Sequence, residues 1–121
     1  MKYNKFEDIP VWQEARRFVS EVYDVTNKYF QKDFDLIRQL RRAALSIVLN
    51  ITEGFERKSN KDFARFINNA KGSAGECRAV FYVALDLKYL PESDFTNFRE
   101  KTINISRQLS KFADYLIDSA K

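Results

Sequence analysis

Apolar residues along this chain recur at alternating steps of four and three, and they do so in four separate stretches. Val11, Ala15, Phe18, Val22, Val25 and Tyr29 form the first set, with Glu14, Arg17, Glu21 and Asp24 on the positions between. Ile37, Leu40, Ala44, Ile47, Ile51 and Phe55 form the second. The third runs through Phe63, Phe66, Ala70, Cys77, Phe81 and Ala84, with Ala74 beside it. The fourth is Phe95, Phe98, Thr102, Ile105, Leu109, Phe112 and Leu116. Such spacing gathers side chains onto one stripe of an α-helix, so helices are predicted over residues 8–29, 35–55, 59–88 and 93–119. Short polar connections between long helices force antiparallel neighbours. The expected fold is all-α: an up-down antiparallel four-helix bundle, a single domain over residues 1–121.

Local signals place the ends of these helices. Asp8 is the expected N-cap of the first, with Pro10 in its first turn, where a missing N–H is harmless. Asp33 or Asp35 caps the second. Gly54 lies near that helix's end, where a glycine closes helices in the left-handed conformation. Ser59, with Asp62 three residues on, resembles a capping box for the third. Inside the third helix, Gly72, Ser73, Ala74 and Gly75 follow one another, and each glycine costs about 1 kcal/mol of helix propensity. Close approach of a neighbouring helix is the expected compensation; a functional kink is the alternative. Ala79 to Leu85 has no polar side chain apart from the Tyr82 hydroxyl. A helix apolar all round is usually buried all round. With Trp12, Tyr3 and Phe6, this stretch suggests a subunit interface that includes Phe81 and Tyr82. A wide core face with a few exposed aromatics is the plainer alternative.

Composition narrows the chemistry. Three glycines and two prolines leave few chain reversals, in keeping with long helices. The chain has no histidine, which removes the commonest general base, His-dependent triads and His-ligated metal sites. Cys77 is the single cysteine, so an intrachain disulfide and a Cys-based zinc site are ruled out; a buried inert thiol is expected, a reactive one being the alternative. No catalytic residue, cofactor or metal ligand is assigned, and no enzymatic activity is expected. Met1 to Phe6 is polar and basic, and no apolar run approaches the roughly eighteen residues of a membrane span. The expected location is the cytoplasm, without a membrane partner.

Charge is uneven. From Arg38 to Arg78 nine basic residues face four acidic ones, a surplus of five, while the remainder is net −1, giving +4 in all. Arg38, Arg41, Arg42, Arg57, Lys58, Lys61 and Arg65 are the candidate nucleic-acid contacts, because arginine forks suit phosphate and a basic cluster is the footprint of a nucleic-acid backbone. A solvated face is the plainer reading, with Arg41 or Arg42 paired to Glu53, Glu76 or an acid on the first helix. No RNP signature, GXXG loop or zinc finger accompanies the charge.

Three blocks are familiar in order and spacing. Phe6-Glu7-Asp8 followed by Val11-Trp12-Gln13, the run QLRRAALSIVLNITEG from Gln39 to Gly54, and Ser59, Phe63, Arg65 and Phe66 leading into Ala70 to Glu76 together resemble the bacterial four-helix bundle proteins encoded by intervening sequences of 23S ribosomal RNA genes. The resemblance implies a ring-forming homo-oligomer, typically a pentamer. Accessory proteins of diversity-generating retroelements, which are related, use a basic surface to engage a reverse transcriptase and nucleic acid. It carries no catalytic residues over. By position Arg41, Arg42, Asn50, Glu53 and Gly54 match the central motif, and Ser73 and Glu76 the second; Val48 and Leu49 depart from the small residue or proline that many members have there. Trp12, Glu53, Gly72, Ser73, Glu76, Phe81 and Tyr82 are the candidate structural or interface residues. For Glu53 and Glu76 a buried network with Arg41 and Arg42, between helices or between subunits, is expected ahead of acid–base chemistry. The function expected is a homo-oligomeric module bound to RNA or a ribonucleoprotein; the alternative is a protein-interaction scaffold without nucleic acid.

Overall fold

The computed structural model describes residues 2–120. A 3-10 turn, Phe6–Asp8, leads into helix α1, Pro10–Tyr29; α2 is Phe34–Phe55, α3 Asn60–Asp86 and α4 Glu92–Ala120. α3 packs mainly on α2 and α4, α2 on α1, and α1 more sparsely on α4. The helices therefore follow one another around an up-down four-helix bundle.

The apolar stripes meet in the middle. Phe18, Phe30, Phe63 and Phe81 are among the side chains with essentially no exposure. Phe81 stacks on Phe98 at 4.7 Å between ring centroids, and Phe63 sits edge-on between Phe55 and Phe112. Aromatic pairs of this kind contribute about 0.5–1.5 kcal/mol beyond the area they bury. The two buried threonine hydroxyls donate within their own helices: Thr26 Oγ1 to the Val22 carbonyl at 2.9 Å and Thr102 Oγ1 to the Arg99 carbonyl at 2.7 Å.

The helix ends partly differ from expectation. Asp8 does not cap α1. It belongs to the preceding 3-10 turn, Ile9 holds the cap position without a side-chain bond, and Pro10 opens the helix. Asp33 caps α2 by accepting from the Leu36 N–H at 3.2 Å, and Ser59 caps α3 by accepting from the Asp62 N–H at 3.1 Å. Gly54 is not a left-handed terminator; among the described residues the left-handed ones are Gln31, at φ 55°, and Lys88, at φ 62°. Lys88 closes α3 as a glycine would, with its own N–H bonded to the Leu85 carbonyl and the Tyr89 N–H to the Ala84 carbonyl. Gly54 instead lies inside α2 because α3 passes close by: a Cβ built there would fall 2.7 Å from Phe63 Cδ1 and 2.8 Å from Phe66 Cβ. Gly72 and Gly75 show the reverse. A Cβ at either would meet nothing within 4 Å, and α3 runs unbroken through them. Neither the close helix nor the kink expected there occurs within the chain.

Candidate functional site

The seven basic candidates separate into two groups, at opposite ends of α2, because residues 42 and 55 of one helix stand about 20 Å apart. At the first end Arg38 pairs with Asp35 at 2.5 Å, one turn away. Arg41 is used up inside the fold: Nε donates to Thr26 Oγ1 at 3.0 Å, Nη2 to Asn27 Oδ1 at 2.9 Å, and the guanidinium lies 4.2 Å from the Tyr23 ring centroid. It ties α2 to α1. Arg42 points to solvent. At the other end Arg57 pairs with Glu53 at 2.9 Å and approaches Asp62 at 3.9 Å, while Arg65 pairs with Asp62 at 2.8 Å. Both guanidiniums lie over the Phe66 ring, at 4.6 and 4.5 Å. Lys58 and Lys61 are exposed beside them. The candidate cluster does not converge into one patch, and nearby carboxylates engage much of its charge.

Within the chain, Glu53 and Glu76 do not form the buried network with Arg41 and Arg42 expected between helices. Both carboxylates are exposed; Glu53 bonds Arg57, one turn along its own helix, and Arg41 faces α1 instead. Their positions on α2 and α3 fall away from the packed stripes, which is the physical reason.

What the two motif blocks do build is the contact between α2 and α3. Ser46 Oγ and Ser73 Oγ lie 2.9 Å apart, Asn50 Nδ2 donates to Ser46 O at 2.9 Å and to Ser46 Oγ at 3.0 Å, and Ser73 Oγ reaches the Asn69 carbonyl at 3.3 Å. Short polar side chains let the helices approach, and Gly54 then admits Phe63 and Phe66 at the same seam. Ser46 lay inside the quoted motif without being singled out; its pairing with Ser73 depends on interhelical register.

The interface candidates divide as well. Phe81 is a core residue, fully buried on Phe98, and so offers nothing to a partner. Trp12 is half-buried, with Nε1 donating to Thr52 Oγ1 at 2.9 Å and its ring against Phe6. The stretch from Ala79 to Leu85 is not buried all round in the single chain: Ala79, Tyr82 and Val83 face outward. Tyr82 keeps Phe95 edge-on at 4.8 Å and accepts a bond from Arg99 Nε at 2.8 Å, which raises the Arg99 pKa. Outward-facing apolar residues also appear on α2, at Leu45 and Leu49. Burial pushes the Cys77 thiol up to about 12, so it stays protonated. No cluster of metal-ligating side chains occurs among the described residues, and none of their helices is long and apolar enough to cross a membrane.

The family model described as 23S rRNA-intervening sequence protein matches residues 7–111. No curated protein matches the chain in sequence. Among solved structures, the chain is similar to a protein of unknown function from the S23 ribosomal protein family of Bacteroides thetaiotaomicron VPI-5482. The match has a TM-score of 0.78 and 21% identity, and covers 85% of this chain and 97% of that one. At that identity the likeness speaks for the fold alone.

Proposed function

Because the chain belongs to the 23S rRNA-intervening sequence protein family, we propose that it acts as a non-catalytic binding module: a cytoplasmic homo-oligomer that associates with RNA or a ribonucleoprotein. The observation that carries the assembly is a pair of apolar patches left outside the core on different helices. Leu45 and Leu49, one turn apart on α2, are 43% and 53% exposed; Tyr82, Val83 and Leu87 near the end of α3 are 43%, 45% and 49% exposed. Patches of this kind mark interaction sites, and two distinct patches per subunit are what a head-to-tail contact needs in order to close a ring. Five subunits is the number the family resemblance implies. Arg42, Glu53 and Glu76, exposed around these surfaces, supply charges of both signs for a polar rim.

Sedimentation velocity on the wild-type chain and on a Leu49→Glu/Val83→Glu variant tests the assembly. A single oligomeric species that dissociates in the variant, with helicity unchanged, is the expected outcome; a wild-type monomer at micromolar concentration overturns it. Titration of a structured RNA at about 50 and 200 mM salt tests the association, which should weaken steeply as salt rises. Salt-insensitive binding of a protein with no binding of RNA would establish the scaffold reading instead.

A further inference from the structure

A group of four unpaired cations lies outside the candidate cluster, in the groove between α3 and α4. Lys71 and Arg78 from α3 and Arg107 and Lys111 from α4 line one cavity of about 370 Å³, together with the hydroxyls of Ser106 and Ser110. No acidic side chain lines it, and none of the four cations has an ion-pair partner among the described residues. Lys111 also lines a second cavity, of about 270 Å³, where α4 meets the N-terminal segment; Tyr3, Phe112 and Tyr115 form its aromatic wall and Lys2 stands at its edge. There Tyr115 is 40% exposed, its ring nearly parallel to that of Phe112 at 6.3 Å, and Lys2 Nζ lies 6.0 Å from the Tyr115 centroid.

We infer that this groove and pocket form a binding site for single-stranded RNA, with the phosphate backbone along Lys71, Arg78, Arg107 and Lys111 and a base stacked on Tyr115. Arg107, Lys111 and Tyr115 follow at steps of four, which puts them on one row of α4 about 6 Å apart. Lys71 and Arg78 stand two turns apart on the facing helix, a span of about 10 Å. A cationic groove that tracks a backbone and opens onto an aromatic platform is the arrangement single strands require, because every base has a face to stack while its phosphates need only charge. An acidic protein segment would use the cations and leave the aromatic wall without a role. The site rests on the RNA-association reading above and assigns it a place away from Arg38, Arg42, Lys58 and Lys61.

The probe is a labelled oligouridylate of about twelve nucleotides, a length in the range that single-strand grooves hold, titrated by fluorescence anisotropy. Four phosphate contacts on a single strand give a salt slope of about 2.8, a weakening of about fiftyfold between 50 and 200 mM. Lys71→Glu/Arg107→Glu should cost at least about 25-fold at 0.1 M salt and halve the slope. Tyr115→Ala should cost about fivefold or more with the slope unchanged, since stacking releases no counterion. Lys58→Glu/Lys61→Glu, of equal charge change, should bind as wild type does, and far-UV circular dichroism shows whether each variant is folded. Wild-type binding that survives both groove and Tyr115 variants overturns the site and leaves the RNA reading standing. No wild-type binding at low salt overturns the RNA reading and the site with it. Displacement of the oligonucleotide by polyglutamate at equal charge concentration overturns the nucleic-acid assignment in favour of an acidic protein.

Discussion

Gly54 offers a sharp test of how closely α2 and α3 pack. In a helix interior glycine is the poorer residue, so an alanine gains about 1 kcal/mol by propensity alone. At Gly54 that gain is opposed. The new methyl would stand 2.7 Å from Phe63 Cδ1 and 2.8 Å from Phe66 Cβ, about 0.7 Å inside ordinary contact. Neither neighbour yields easily: Phe63 is 1% exposed and held by two other rings, and the Phe66 Cβ is fixed to the α3 backbone. The two helices must part, and overpacking of a well-packed core costs about 1–3 kcal/mol. With a backbone-tethered atom in the clash the cost falls in the upper part of that range, leaving Gly54→Ala destabilised by about 1–2 kcal/mol net. Urea unfolding followed by far-UV circular dichroism reads this as a midpoint lower by about 1 M, for a slope near 1.5 kcal/mol/M. Gly72→Ala and Gly75→Ala are the controls. Their methyls meet nothing within 4 Å, so each should gain about 0.5–1 kcal/mol at matched protein concentration. A Gly54→Ala midpoint equal to or above wild type, with an unchanged slope, would refute the packing argument.

Three further outcomes are expected. Lys88→Gly should stabilise the chain by about 0.5–1 kcal/mol in the same unfolding assay, because Lys88 holds φ 62° at the end of α3 and only glycine does so without strain. The Tyr89 hydroxyl donates to Asp33 Oδ2 at 2.9 Å, and that bond raises its pKa. The folded chain therefore keeps a phenol proton that the unfolded chain releases near pH 10, so stability is present below that pH and falls above it, and Tyr89→Phe should flatten the fall between about pH 9 and pH 11 relative to wild type. Cys77, pushed up to about 12 by burial, should resist a thiol-specific disulfide reagent at about pH 8 and react only at the rate of unfolding; labelling at the rate of a free thiol would contradict its burial.

Much of the architecture could be read from the chain because it depends on spacing within single helices. Every residue of the four apolar stripes is at least half-buried, and the third helix, from its Ser59 cap to Ala84, matches the pattern in detail. The resemblance and the family match agree over most of the chain. The misplaced features depend on what stands opposite. Gly54 looked like a terminator because sequence shows its place near a helix end but not the Phe63 ring against it. Gly72 and Gly75 looked like a close contact, yet the chain presents nothing to them.

Charge followed the same division. Nine basic residues between Arg38 and Arg78 are a fact of sequence, and counting them pointed to seven candidates from Arg38 to Arg65. There, Asp62 and Glu53 engage Arg57 and Arg65, while Arg41 is spent on Thr26 and Asn27. The open groove draws half its cations, Arg107 and Lys111, from a stretch of α4 that a local count passes over. Periodicity within a helix decides which face is apolar, and the sequence alone determined that. Only the tertiary structure decides which side chains of antiparallel helices stand level, because that register is set by packing between residues far apart in the chain.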